Sequence, residues 1–335
     1  MSFSKIVLIS ESNLVDSSVL TYEQWMYLRE YLPEDIRFVD YQFPNEDIYA
    51  QYIANIHKFS DDEIQRLLGD FLLSSTALKS DSDRYRHLDK HLSDGGDFED
   101  FTSPQYYRRL FWWSQDEKSF PPPWEGVTWV LDLLPRDPRS AIEVLRSYLK
   151  AHLAVLPDGR ITGLDDAISV IRARYIGIPA NQSEKLTFLH ELTSREFEHL
   201  IKHLYDRMGY QAEITPTSRD GGRDVVAITS NTGRKERVAV ECKLYSGRVG
   251  VRYVDRLQGV LHRERFHKGV IFATGGFTKD AFKAAEQSGL IELVSGTQII
   301  ILLNEYLGYD WPLRINRLIR ASQEKYEAKL GTSPL

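Results

Sequence analysis

The stretch RDGGRDVVAITSNTGRKERVAVECK, residues 219–243, decides how this chain is read. It holds two apolar, β-branched runs, RDVVAIT (223–229) and ERVAVECK (236–243), separated by SNTGRK. Asn, Gly and polar neighbours between two such runs signal a hairpin. Charges interrupt what otherwise reads as core: Asp224 at the start of the first run, Glu241 and Lys243 at the end of the second. Strand side chains alternate faces, so Glu241 and Lys243 point one way while Val240 and Cys242 point the other. Hairpin pairing sets the start of the first strand beside the end of the second, and so Asp224 beside Glu241.

Two carboxylates side by side repel, and each resists ionising near the other. A divalent cation removes the conflict, because one or two carboxylates with water and a phosphate oxygen form the oxygen shell that magnesium favours. Lys243 beside them can orient and help deprotonate a water, or neutralise charge building on phosphorus. Asp224, Glu241 and Lys243 therefore suit phosphodiester hydrolysis, with Asp224 and Glu241 as the metal ligands. The plainer reading keeps Asp224 as a turn cap and Glu241 with Lys243 as a surface ion pair. The Asp…Glu-x-Lys pattern alone does not separate the two. The apolar setting of both strands, and a DGG turn that permits close backbone approach, favour the site.

Working outward, TSREFEHLIKHLYDRMGY (193–210) has the spacing of an amphipathic helix, with Thr193 and Glu196 as a capping box and Gly209 as its stop. QAEITP reads as a short strand, VRYVDRLQGVLHRER as a helix and KGVIFAT (268–274) as a fully apolar strand. TKDAFKAAEQSG reads as a helix capped by Thr278, IELVS as a last strand and TQIIILLNEYLG as a short helix. Helix, three strands, helix, strand, helix, strand is the order of a mixed sheet flanked by helices, an α/β fold. Thr274, Gly275 and Gly276 between a strand and a helix N-terminus suit either a phosphate oxygen or a tight turn. Arg248, Arg252 and Lys279 read as DNA-backbone contacts or as solvated charges, and His262 and His267 as surface. Asp220 could stand in for Asp224 but more naturally shapes the turn. Cys242 points to the core side, which argues against a nucleophilic role.

The region upstream has a different texture. Apolar residues recur at helical spacing in 21–32, 61–73, 140–156 and 163–177, with Asp137 and Pro138 as cap and first turn of the third helix and LPDGR as its close. Between these helices lie a polar stretch, 79–101, and an aromatic run, 105–135. Trp112, Trp113, Trp124 and Trp129 could form a stacking platform for a base, though beside a triple proline they read better as packed core of an irregular segment. Arg108, Arg109, Arg172 and Arg174 are expected to pair with neighbouring carboxylates. A boundary is expected near 178–192, IPANQSEKLTFLHEL, dividing a mainly helical domain 1–190 from a domain 191–310 and a charged helical tail 311–335.

The 335 residues suit two domains, and a 42% apolar, 27% charged composition is that of a soluble globular protein. One cysteine, Cys242, excludes an internal disulfide or a cysteine zinc cluster. The opening MSFSKIVLISESNL reads as a first strand rather than a signal peptide, and no apolar run approaches the roughly 20 residues that span a bilayer. A cytoplasmic location with no membrane association is expected. Net charge is −6, with 20 Lys and Arg against 30 Asp and Glu in residues 1–190 and 17 against 16 in residues 191–310. The acidic first region is a poor polyphosphate-gripping surface; the second could still present a local basic face.

Residues 192–308 resemble the Mrr-like type IV restriction endonuclease domain, a branch of the PD-(D/E)xK nuclease superfamily. The resemblance rests on REFEHLIKHLYDRMGY, on the DGG-x-D turn from Asp220 to Asp224, on Glu241-Cys242-Lys243, on RVGVRYVDRLQGVL and on KGVIFATGGFTKDA. It implies a metal-dependent nuclease with ligands at Asp224 and Glu241, a catalytic lysine at Lys243 and an auxiliary acid at Glu198. It also implies DNA as substrate, Mg2+ as cofactor with Mn2+ able to substitute, and a setting in restriction or anti-phage defence. Cutting both strands needs two sites, so a homodimer or larger assembly is expected. Two alternatives stand beside this: a signal-gated effector nuclease activated through residues 1–190, and a catalytically silent DNA-binding module. RNA as substrate stays open as well.

Overall fold

The computed structural model describes residues 8–9, 14–31, 40–216, 222–231 and 234–332. The chain divides into two compact units, Met1–Gly177 and Ile178–Leu335. The first opens with a small antiparallel pair, β1 (Leu8–Ile9) and β2 (Leu14–Val15); the rest of the expected first strand lies outside the described residues. Helices α1 (Tyr22–Glu30), α2 (Glu46–Ala54) and α3 (Asp61–Phe71) follow, the first and third opened by the capping boxes Thr21/Gln24 and Ser60/Glu63. Such boxes satisfy two orphan N–H groups at once.

The polar stretch 79–101 differs from its reading as a connection, because Asp81–Ser93 forms helix α4. Among its apolar residues only Leu88 is fully buried, so the periodic signal that reveals a helix is faint there. The aromatic run carries helix α5 (Pro104–Gln115), with its proline in the first turn. Trp124 is core: 1% exposed, its ring 4.6 Å from Tyr106 and its Nε1 donating to the buried Asp81 carboxylate at 3.1 Å. Trp112 and Trp129 instead lie about half exposed, at 52% and 53%, which departs from the packed-core expectation. Arg108 pairs with Glu99, Arg109 with Glu125 and Arg174 with Asp61, as acidic surroundings favour.

Helix α6 (Pro138–His152) is capped by Asp137, whose side chain accepts from the Ser140 N–H at 3.2 Å. LPDGR does not merely close it. Asp158, Gly159 and Arg160 are the opening turn of α7 (Asp158–Ile171), whose N-cap is Pro157. A Pro-Asp pair at this spacing serves a helix start as readily as a stop. Every residue from Gly163 to Ile171 is buried, including Asp166, whose Oδ2 accepts from the Phe43 N–H at 2.8 Å. One π-helical turn, Arg172–Ile176, ends the unit.

The second unit begins with α8 (Gln182–Leu189), which occupies the stretch read as a boundary and buries Phe188 and Leu189. Helix α9 (Ser194–Arg207) has the expected Thr193/Glu196 capping box. It buries Phe197, Leu200, Ile201, Leu204 and Tyr205, one stripe at helical spacing, each worth roughly 1.5–3 kcal/mol when fully buried. Gly209, at φ +87°, ends it in a conformation that glycine adopts without penalty. The sheet has the order β3 (Gln211–Ile214), β4 (Val225–Asn231), β5 (Arg234–Lys243), β6 (Lys268–Ala273), β7 (Ile291–Ser295). Pairing is antiparallel from β3 to β5 and parallel from β5 to β7. It is a five-stranded mixed sheet, the α/β arrangement expected from the element order.

Helices α10 (Val251–Glu264) and α11 (Lys279–Ser288) supply the crossovers of the parallel half. They pack with Ala239, Ile271, Ala273 and Leu293 on one face of the sheet. α9 and α12 (Gly296–Leu307) cover the other face with Val225, Val240, Cys242 and Phe272. The tail is a further helix, α13 (Trp311–Thr332), whose Trp311, Ile315 and Ile319 complete that second core. Gly269 lets α10 approach β6 closely, since a Cβ there would meet Leu257 Cδ2 at 2.8 Å.

Candidate active site

The hairpin register pairs Val225 with Val240 and continues to Asn231 opposite Arg234. Extended by one residue, it sets Asp224 opposite Glu241. The Asp224 N–H donates to the Val240 carbonyl at 2.8 Å, and Asp224 Oδ2 accepts from the Cys242 N–H at 2.6 Å. β5 is the middle strand of five, so Glu241 stands at the centre of the sheet, fully buried, not at its lateral edge. Cys242 faces the opposite core, where burial pushes its thiol well above the usual range.

Lys243 Nζ lies 3.0 Å from Glu241 Oε1, 4.0 Å from Asp224 Oδ2 and 3.2 Å from the Cys242 carbonyl oxygen. Burial works against the ammonium, but the Glu241 and Asp224 carboxylates outweigh it and hold Lys243 above the ordinary lysine range. The two carboxylates thus favour the charged form of Lys243. Burial raises the Glu241 carboxyl, against the pull of Lys243 and Arg256. Arg256 reaches in from α10 and donates to Glu241 Oε1. The other oxygen, Oε2, is buried with no hydrogen-bond partner among the described residues.

Glu198 stands half-buried on α9. It accepts from Arg195 Nη1 at 2.7 Å, and its carboxyl is raised by burial and by the nearby Asp224 charge. The structure therefore brings Asp224, Glu241 and Lys243 into contact and leaves Glu198 within electrostatic range of Asp224. Asp220 lies outside the described residues. Thr274, Gly275 and Gly276 form a tight turn: Thr274 Oγ1 donates to the Tyr245 carbonyl at 3.0 Å, and a Cβ on Gly275 would meet the Gly247 carbonyl oxygen at 2.1 Å. Arg248, Arg252 and Lys279 are exposed, as are His262 and His267.

Residues 189–303 match the family Mrr_cat, restriction endonuclease. This segment is a Mrr-type restriction endonuclease domain. Two relatives share sequence with the chain. One is the protein y4cE of Sinorhizobium fredii, 31% identical over 97 residues, which are 28% of this chain and 25% of that protein. The other is the type IV methyl-directed restriction enzyme EcoKMrr of Escherichia coli K12, 29% identical over 154 residues, 44% of this chain and 47% of that enzyme. The chain thus spans less than half the length of either. Solved structures with similarity include the modification-dependent restriction endonuclease AspBHI, at TM-score 0.37 and 20% identity over 44% of this chain and 41% of that one. MspJI in complex with a 27-mer oligonucleotide has TM-score 0.35 and 17% identity over 51% of this chain and 45% of that one.

Divalent metals are general among nuclease domains of this class, and the donor set of the Mrr domain fits one. Glu241 Oε2 is an orphaned buried acceptor, a costly state that a cation would relieve. Asp224 stands opposite it in register, and both are hard oxygen donors. Sequence reasoning missed three members of the site: Arg256, Tyr253 and Tyr245. The guanidinium of Arg256 lies 5.3 Å from the centre of the Tyr253 ring, and Lys243 Nζ lies 5.4 Å from it. A hydrogen bond from Tyr245 and another from Arg252 hold the Tyr253 hydroxyl below the usual phenol range. Tyr253 and Arg256 stand three residues apart on one helix face, and that spacing was the only signal in the sequence.

Proposed function

We propose that the Mrr domain hydrolyses phosphodiester bonds in DNA. Asp224 and Glu241 hold a divalent cation, Mg2+ in the cell with Mn2+ able to replace it, and Lys243 assists. The observation that carries this reading is the buried Glu241 carboxylate, with one oxygen on Lys243 at 3.0 Å and the other without a hydrogen-bond partner among the described residues. When bound, the cation would polarise the scissile phosphate and activate water. Asp224 is held for ligation by the Cys242 N–H, which fixes one carboxylate oxygen. Lys243 orients the attacking water and offsets charge developing on the phosphate oxygens. Glu198, raised by burial, is an auxiliary acid that can accept a hydrogen bond from that water.

The setting that this supports is restriction of incoming DNA, as antiviral defence inside the cell, with modification recognised as a mark of foreign origin. A homodimer or larger assembly would supply a second site for double-strand cleavage. Residues 1–190 would recognise the target, sense a trigger or build the oligomer, residues 191–310 would cut, and the tail 311–335 would complete the cutting domain. Among the described residues no helix is long and apolar enough to cross a membrane. The test uses purified full-length protein with plasmid, methylated plasmid and RNA, each with Mg2+ or chelator, and compares it with Lys243→Ala. Cleavage of DNA that needs the metal and is lost in the variant is expected. Cleavage that persists in chelator or in Lys243→Ala overturns the proposal.

A further inference from the structure

One side chain at the site has no place in the hydrolytic reading. Arg256 donates to Glu241 Oε1, the oxygen that Lys243 already contacts at 3.0 Å. Two cations thus share one carboxylate oxygen while its sibling has none. Their anchorage differs. The Lys243 side chain is 13% exposed and is also held by the Cys242 carbonyl, whereas Arg256 is 50% exposed. Its stem passes Gly222, φ +92°, where a Cβ would stand 3.2 Å from Arg256 Nε. Its guanidinium rests near the Tyr253 ring on the same face of α10, and Arg252 on that helix and Arg248 just before it are exposed.

We infer that Arg256 is a displaceable counter-ion that holds the Glu241 charge until a divalent cation takes it over, and then turns to the DNA backbone. The inference rests on the reading of Asp224 and Glu241 as cation ligands. A buried carboxylate needs a compensating charge, and Lys243 with Arg256 supply it. A divalent ion arriving at Asp224 and Glu241 would bring two more positive charges against the same pair of carboxylates. Like charges at such distances repel strongly in a partly desolvated site, so one cation must leave, and the half-exposed arginine is the one free to swing. A guanidinium released toward solvent beside Arg248 and Arg252 meets a phosphate bidentately. Metal and DNA then bind cooperatively, because each draws Arg256 away from Glu241.

The experiment is an EPR titration of Mn2+ into full-length wild type, Arg256→Gln, Arg256→Lys and Asp224→Asn. It is run with and without a duplex made non-cleavable by phosphorothioate linkages, with duplex-only binding subtracted. Thermal unfolding confirms that each variant is folded. Without DNA, Arg256→Gln should bind Mn2+ about tenfold more tightly than wild type, within the usual range for coupled sites. Arg256→Lys should stay near wild type. DNA should tighten Mn2+ binding in wild type and leave Arg256→Gln unchanged. Equal or weaker Mn2+ binding by Arg256→Gln without DNA overturns the inference while the ligand reading stands. Absent binding in wild type, or binding that survives in Asp224→Asn, defeats the ligand reading and this inference with it.

Discussion

Glu241 and Lys243, two residues apart on the middle strand, meet at 3.0 Å in a site where the carboxylate is 1% and the amine 13% exposed. Removing one partner of a buried pair strands the other, which costs roughly 3–5 kcal/mol, whereas removing both is often neutral. Glu241→Gln is therefore expected to lower stability by about 3 kcal/mol. The double variant Glu241→Gln/Lys243→Met should recover most of that loss, and both should be inactive on DNA. Urea unfolding of the two single variants and the double variant, read as a cycle, checks this.

Asp81 makes a comparable prediction for the first unit. Its carboxylate is 1% exposed and accepts from the Leu78 N–H at 2.6 Å, the Tyr106 hydroxyl at 2.8 Å and the Trp124 indole at 3.1 Å. Asp81→Ala orphans three donors, two of them buried. The expected loss is about 3 kcal/mol, seen as an earlier thermal transition and a shift in tryptophan emission.

Gly275 should not tolerate a methyl group. Its missing Cβ is replaced by carbonyl oxygens of Gly247 and Tyr245, at 2.1 and 2.5 Å from where the Cβ would be. Gly275→Ala must push back the segment that leads from Lys243 to α10. A cost of about 1–3 kcal/mol is expected, with cleavage reduced more than stability. Calorimetry and a plasmid-nicking assay on the same preparation separate the two effects.

His199 sets an acid limit on the second unit. Burial, with Arg195 and Lys202 nearby, lowers it from 6.5 to about 4. The folded state therefore keeps the ring neutral where the unfolded chain would protonate it. This contribution to stability is complete above pH 6.5, declines as pH falls toward 4 and loses nothing further below, at most about 3 kcal/mol in all. Histidine NMR signals should show the His199 ring neutral at pH 5. Scanning calorimetry at pH 7 and pH 5 should show a smaller loss in His199→Phe than in wild type.

The parts of this protein that were legible are those written in local pattern. β4 and β5 announce themselves by β-branched runs around Asn231, and α9 by Thr193, Glu196 and a stripe from Phe197 to Tyr205. The pairing of Asp224 with Glu241 followed from hairpin register alone. Arg256 was invisible for the converse reason: its partner Glu241 lies 15 positions away on another element. Only the parallel crossover through α10 brings them together. Helix α4 was hidden by its polarity, and the start of α7 by a Pro-Asp-Gly sequence that serves stops and starts alike.

The helix α13 bears on how this protein is cut for study. The family match ends at residue 303, yet Trp311, Ile315 and Ile319 lie in the same buried cluster as Phe197 and Leu200. A fragment trimmed at the family boundary would strip α13 from α9, with an oily face open to its neighbours. Expression boundaries placed beyond residue 326, whose tyrosine ring stands 6.0 Å from His199, keep that face covered.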